Sequence, residues 1–193
     1  MVQITVVNST DQSAELVMSK GGGGKALALS GRIPVAADTV VIVPPVKAYT
    51  AYASVTLDDN DYITNTVHLP DPAWRLTARI ERAGELFSFE LVGERGEVPE
   101  RMTLVNTVDA PTVFAVDGHA AGHADDPILT SRWVVEPRDR VEIGTGEAYA
   151  FYAIVNGVTT DTVMADPRPG QDVTVQIVSL DDGMPGLVLV EPA

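Results

Sequence analysis

The sequence predicts an all-β protein built as two tandem homologous β-sandwich units, Greek-key or jelly-roll-like, of about eight strands each. Three observations carry that expectation. Short β-branched and aromatic runs are separated by turn-forming clusters roughly every 8–12 residues. No window sustains helical spacing over three turns. The first half also recurs, in order, in the second: "ITVVNSTD" (4–11) returns as "MTLVNTVD" (102–109), "YTAYASV" (49–55) as "YAFYAIV" (149–155) and "TNTV" (64–67) as "TDTV" (160–163). Between these, Leu29, Arg32 and Val35 align with Leu129, Arg132 and Val135, Val40 and Ile42 with Val141 and Ile143, and Leu91-Val92 with Leu189-Val190. The offset stays between 96 and 101 residues, as loop insertions in a duplicated unit would leave it.

Taken in order, "QITVVN" and "AELVMS" read as strands separated by "STDQS", and "TVVIV" stops at Pro44-Pro45, which cannot donate to a ladder. "TAYASVTL" and "YITNTVH" flank "DDND", a turn cluster whose counterpart is the two-residue hairpin signal "NG" at 156–157. "RLTARIER" and "LFSFELV" alternate in period two across "AGE". The pattern breaks in "GERGEVPE" (93–100), which places one unit in 1–95, a short linker at 96–99 and a second unit in 100–193. Whether the units pack apart or share one core is left open by the pattern.

The 193 residues carry a net charge of −14, from 27 acidic and 13 basic side chains, and 45% of them are hydrophobic. Residues 1–96 hold 8 basic and 11 acidic groups, or −3, and residues 97–193 hold 5 and 16, or −11. With no local basic patch, a nucleic-acid backbone would be repelled. The absence of cysteine removes disulfides, thiolate metal sites and thiol nucleophiles. The N-terminus lacks the pattern of a cleaved signal and no apolar run is long enough for a spanning helix, so the expected location is cytoplasmic.

Candidate sites are few. "GHAAGHADDP" (118–127) sets His119 and His123 four apart and follows them with Asp125 and Asp126. It occupies the same connection as the glycine loop "SKGGGGK" (19–25), so the architecture does not demand its histidines. If successive strands reverse, Glu147 of "GTGE" and Asp166 of "ADPRPG" fall at the same end of the unit, and His119, His123, Asp125, Glu147 and Asp166 could then converge on a divalent metal, zinc or calcium. "GGGGK" is followed by Ala26 and an apparent strand, so it fails as a phosphate loop. Asp58, Asp59 and Asp61 cluster in a turn without the glycine and terminal glutamate of a calcium loop. Tyr49 and Tyr52 match Tyr149 and Tyr152. Three apart on a strand, one ring of each pair enters the core and the other faces outward, where it can stack on a ligand. Asn65 and Asp161 are equivalent and are expected to lie buried beside Val67 and Val163. A buried carboxylate there would make Asp161 the first residue to inspect for acid or base chemistry.

Two functions compete. The first is a non-catalytic binding protein that takes a small-molecule, carbohydrate or protein ligand, or that assembles with itself as a homo-oligomer. The second is a small enzyme with its site in the second unit or in the cleft between units, assisted by a metal at His119 and His123. Co-location of those histidines with Asp125, Glu147 or Asp166 would favour the enzyme. An exposed aromatic or apolar patch would favour the binder.

Overall fold

Alternation between buried and accessible side chains runs through almost every strand: Tyr49, Ala51, Ala53 and Val55 turn inward in one run, and Tyr149, Phe151, Ala153 and Val155 in another. The computed structural model describes residues 2–21, 27–71, 73–83, 86–121, 126–181 and 183–190. Among these residues there is no helix, and none is therefore long and apolar enough to cross a membrane.

Nine strands come from the first half: β1 (Ile4–Asn8), β2 (Ala14–Lys20), β3 (Leu27–Val35), β4 (Thr39–Val43), β5 (Val46–Leu57), β6 (Asn60–Ile63), β7 (Val67–Leu69), β8 (Trp74–Ala83) and β9 (Leu86–Arg95). Nine follow in the second: β10 (Arg101–Asn106), β11 (Thr112–Ala120), β12 (Pro127–Val135), β13 (Arg140–Gly144), β14 (Tyr149–Val155), β15 (Val158–Thr159), β16 (Val163–Ala165), β17 (Val173–Ser179) and β18 (Pro185–Val190). The expected eight per half is thus nine, because the segment after each central hairpin adds a short strand, β7 or β16.

The halves exchange strands. A four-stranded sheet runs β18-β17-β1-β4, and a five-stranded sheet runs β12-β11-β5-β6 with β7 also on β5. The nine-stranded sheet has two limbs: β14-β2-β3 with β15 and β16 on β14, and β13-β10-β8-β9. Among the described residues two register pairs, Ile143 with Leu27 and Gly144 with Ala28, join the limbs. The four-stranded sheet covers the first limb, through contacts of β14 and β16 with β18 and of β3 with β4. The five-stranded sheet covers the second, through β5 and β7 on β9 and β10 on β12. Each sandwich therefore takes four strands from one half and five from the other, and a single hydrophobic cluster contains residues of both.

The pairings obey one rule. β2 pairs with β3 and β14 as β11 pairs with β12 and β5, and β1 pairs with β4 and, in parallel, with β17 as β10 pairs with β13 and β8. Among the described residues the joint between β3 and β13 has no counterpart between β4 and β12. Two of the sequence alignments shift under this register. Thr5 and Thr103 occupy matching places, so Ile42 matches Glu142 rather than Ile143, and Val40 matches Arg140 rather than Val141. One residue of slip moves a strand's side chains to the opposite face: Val40 and Ile42 are exposed whereas Ile143 is fully buried. Likewise Leu91 matches Leu187, both buried, rather than the exposed Leu189.

Charge favours the exchange. Lys20, at the end of β2, is 3% exposed and meets Glu147 at 3.1 Å across the junction of β2 with β14. If β2 paired instead with β5 of its own half, the place of Glu147 would be held by Lys47, two residues before Tyr49. A buried ammonium would then face a second cation in place of a carboxylate.

Candidate functional site

The residues that the sequence singles out fall in different surroundings. Tyr49 and Tyr149 point inward and are buried, while Tyr52 and Tyr152 are half-exposed on the outer faces of their sheets, as a three-residue spacing on a strand requires. The Tyr149 hydroxyl donates a hydrogen bond to Glu147, and the Lys20 ammonium lies 5.9 Å from the Tyr149 ring centre. Burial first and the Glu147 carboxylate second push the hydroxyl pKa of both Tyr49 and Tyr149 well above the ordinary tyrosine value. These two phenols stay protonated, and the Tyr149 hydroxyl serves as a packed hydrogen-bond donor.

His119 is 5% exposed. Its Nε2 lies 2.9 Å from Thr50 Oγ1, and its Nδ1 is buried with no partner among the described residues. His123 and Asp125 lie outside the described residues. Of the remaining members, His119 sits on β11 beside β5 in the five-stranded sheet, while Glu147 precedes β14 and Asp166 follows β16 of the nine-stranded one. Glu147 is already engaged by Lys20 and Tyr149. Among the described residues no three His, Asp or Glu side chains form a group able to hold a metal.

The burial expected at Asn65 and Asp161 belongs to their neighbours. Both side chains are exposed, and Thr64 and Thr160 are buried instead. Each threonine hydroxyl accepts from a backbone N–H, of Ala53 or Ala153, at 2.9 Å and donates to the next carbonyl, of Asn65 or Asp161. Asp161 therefore lacks the desolvated setting that would fit it for proton transfer.

Two residues missed in the sequence hold deeply buried polar positions. Asn8 and Asn106 are each 1% exposed and close the same turn in each half. Asn106 Nδ2 donates to the carbonyls of Ala110, Val135 and Glu136 at 2.8, 2.9 and 3.2 Å, and its Oδ1 accepts from Val108 N–H at 2.9 Å. Asn8 does the same for Gln12, Val35, Ala36 and Thr10. Their signal was present in the recurring "VN" of both halves.

The groove best suited to a ligand lies at the far end of the second sandwich and has a volume of about 570 Å3. Its apolar wall is Tyr62 from β6 and Phe87 from β9, packed edge to face with centroids 4.9 Å apart, together with Leu57 and Ile80. Phe87 is 42% exposed. Its polar wall is Arg82, Asp58 and the pair Asp109–Arg138. Arg138 Nε donates to Asp109 Oδ1 at 2.7 Å and a terminal nitrogen donates to Oδ2 at 3.0 Å. Those hydrogen bonds, and secondarily the guanidinium charge, hold the Asp109 carboxyl below its usual pKa.

Local sequence builds this groove in the second sandwich, with residues of both halves. From Val55 to Thr64 the hairpin is four residues longer than from Val155 to Thr160, and the extra length carries Tyr62 out over Phe87. Its turn puts Asp58 and Asp59 at φ of 49° and 60°, as the two-residue mirror-image turn requires. The shorter hairpin does the same with Asn156 and Gly157 at 49° and 79°. At the equivalent end of the other sandwich, Asp11 and Asp38 stand where Asp109 and Arg138 form their ion pair.

A second groove, of about 530 Å3, opens where β3 crosses β12 and is lined by Val17, Ser19, Arg32, Ile128, Thr130 and Tyr152. It offers one ring, and its arginine is already bound to Glu15 at 2.6 Å. On the other side of the crossing Arg132 donates to the Tyr52 hydroxyl at 3.2 Å. No protein-family model, curated protein or solved structure matches the chain.

Proposed function

We propose that the chain is a non-catalytic binding protein whose ligand is an uncharged, hydroxyl-rich molecule, in the first instance a carbohydrate, and that its two halves descend from one duplicated nine-strand unit. The observation that carries the ligand reading is the Tyr62–Phe87 pair opening onto the same groove as the fork of Asp109 and Arg138. An aromatic face takes the C–H face of a sugar ring, while carboxylates and guanidinium groups accept from and donate to its hydroxyls. Asp58 and Asp109 balance Arg82 and Arg138, so the groove selects no net charge, and the −14 of the whole chain disfavours an anion. The matched pairings of the two sets of nine strands support the duplication.

Titration calorimetry against a panel of neutral oligosaccharides tests the reading. At least one is expected to bind, and Phe87→Ala to weaken it about tenfold, the loss of one stacking contact worth about 1.4 kcal/mol. Because Phe87 is half in solvent, the variant's melting temperature should hardly move. An unchanged affinity in Phe87→Ala, or no binding across the panel, contradicts the assignment.

A further inference from the structure

The outer face of the four-stranded sheet differs in kind from its counterpart on the other sandwich. None of the residues of β1, β4, β17 and β18 carries a charge. The matching strands β10, β13, β8 and β9 carry Arg140, Glu142, Arg75, Glu94, Arg79 and Glu90, of which Glu142 pairs with Arg101 at 2.6 Å and Arg79 with Glu90 at 3.4 Å. One architecture thus presents a solvated face and, at the equivalent place, a bare one. The register lays the bare face out as two rows: Val40, Val7, Gln176, Val188 and Ile42, Thr5, Thr174, Val190. Val40 and Ile42 are 61% and 59% exposed, and Val188 and Val190 are 40% and 41%.

We propose that this face packs against the same face of a second copy of the chain in a two-fold dimer. Charge chooses the occupant. On a molecule of net charge −14, two copies repel across most approaches, and this uncharged face is where they can meet without burying like charges. Within the face itself a basic partner would find no carboxylate; Asp166 and Asp172 border it at the Thr174 and Val190 end. Flat faces of Val, Ile and Thr are self-complementary and pack as two sheets do within a sandwich. The four strands of five residues present a face of roughly 350 Å2 per copy, so about 700 Å2 is buried in total, below the roughly 1,200 Å2 of a stable interface and in the range of a weak, transient one. The dimer is therefore concentration-dependent, and added salt tightens it by screening the repulsion.

The test is sedimentation velocity of the full chain from about 5 to 500 μM, a span wide enough to cover a weak, transient association, at low and at high salt. Wild type is expected to shift from monomer to dimer, and more readily in salt. The double variant Val40→Arg, Ile42→Glu installs the residues found at the matching places of the other sandwich and should remain monomeric with an unchanged melt. Val188→Lys, on the far strand, should do the same and serves if the first variant fails to fold. A wild type that stays monomeric throughout, or a dimer that survives these folded variants, overturns the proposal. A monomer that instead binds zwitterionic lipid vesicles through this face would also overturn it, by giving the face a different occupant.

Discussion

Gly144→Ala is expected to destabilise the protein by at least about 3 kcal/mol, a loss visible as a fall in the urea midpoint. A Cβ at Gly144 would lie 1.6 Å from the carbonyl oxygen of Gly21, and one at Gly21, whose φ is +84°, would lie 2.1 Å from the Gly144 carbonyl oxygen. Both obstacles are backbone, so no side chain can swing aside. The contact joins the end of β2 to the end of β13 and adjoins the two residue pairs that hold the limbs of the large sheet together. Gly31→Ala meets a comparable block, the Ile128 carbonyl oxygen at 2.1 Å where β3 crosses β12. A Gly144→Ala protein that unfolds at the wild-type midpoint would show that this close approach does not exist.

Asn106→Ala should cost about 3 kcal/mol, since it removes three bonds donated to carbonyls and the acceptor of Val108 N–H in a buried turn, with Ala110 and Glu136 keeping a second donor, Thr112 Oγ1 and Asp139 N–H. Asn8→Ala should cost a similar amount for the same reason. The control is Asn65→Ala. Its side chain is exposed and accepts only a long bond, 3.4 Å from Leu91 N–H, so its effect should stay within about 0.5 kcal/mol. Equal losses at Asn65 and Asn106 in thermal or chemical denaturation would contradict this ranking.

The all-β class, the hairpin turns and the inward and outward tyrosines were legible because each rests on local chemistry: period-two alternation, "NG" and "DD" at positive φ, and spacing along one strand. The exchange of strands was not. "YTAYASV" and "YAFYAIV" present nearly the same pattern to β2, so nothing within a strand says which of them it pairs with. That choice depends on distant groups such as Lys20, Glu147 and Lys47. The set His119, Glu147 and Asp166 forms no group able to hold a metal among the described residues, and His123 and Asp125 lie outside them. At Asn65 and Asp161 the error was one residue, and the buried polar role passed to the adjoining threonines. Attention to what the halves share also hid the aromatic groove, which is built from their differences: the longer hairpin bearing Tyr62, the unmatched Phe87, and Arg138 in place of Asp38.

Strand exchange is the claim on which the rest depends, and the cysteine-free chain makes it directly measurable. Ser19 on β2 and Ala150 on β14 are register partners, whereas Thr50 on β5 is the residue that would face Ser19 if the first half closed on itself. In a chain with a protease site inserted at 96–99, Ser19→Cys with Ala150→Cys should oxidise to a disulfide that keeps the cleaved halves together on a non-reducing gel. Ser19→Cys with Thr50→Cys should leave the halves separable and both thiols free. The reverse outcome, a disulfide that forms readily between positions 19 and 50 and none between positions 19 and 150, would mean that the halves fold independently.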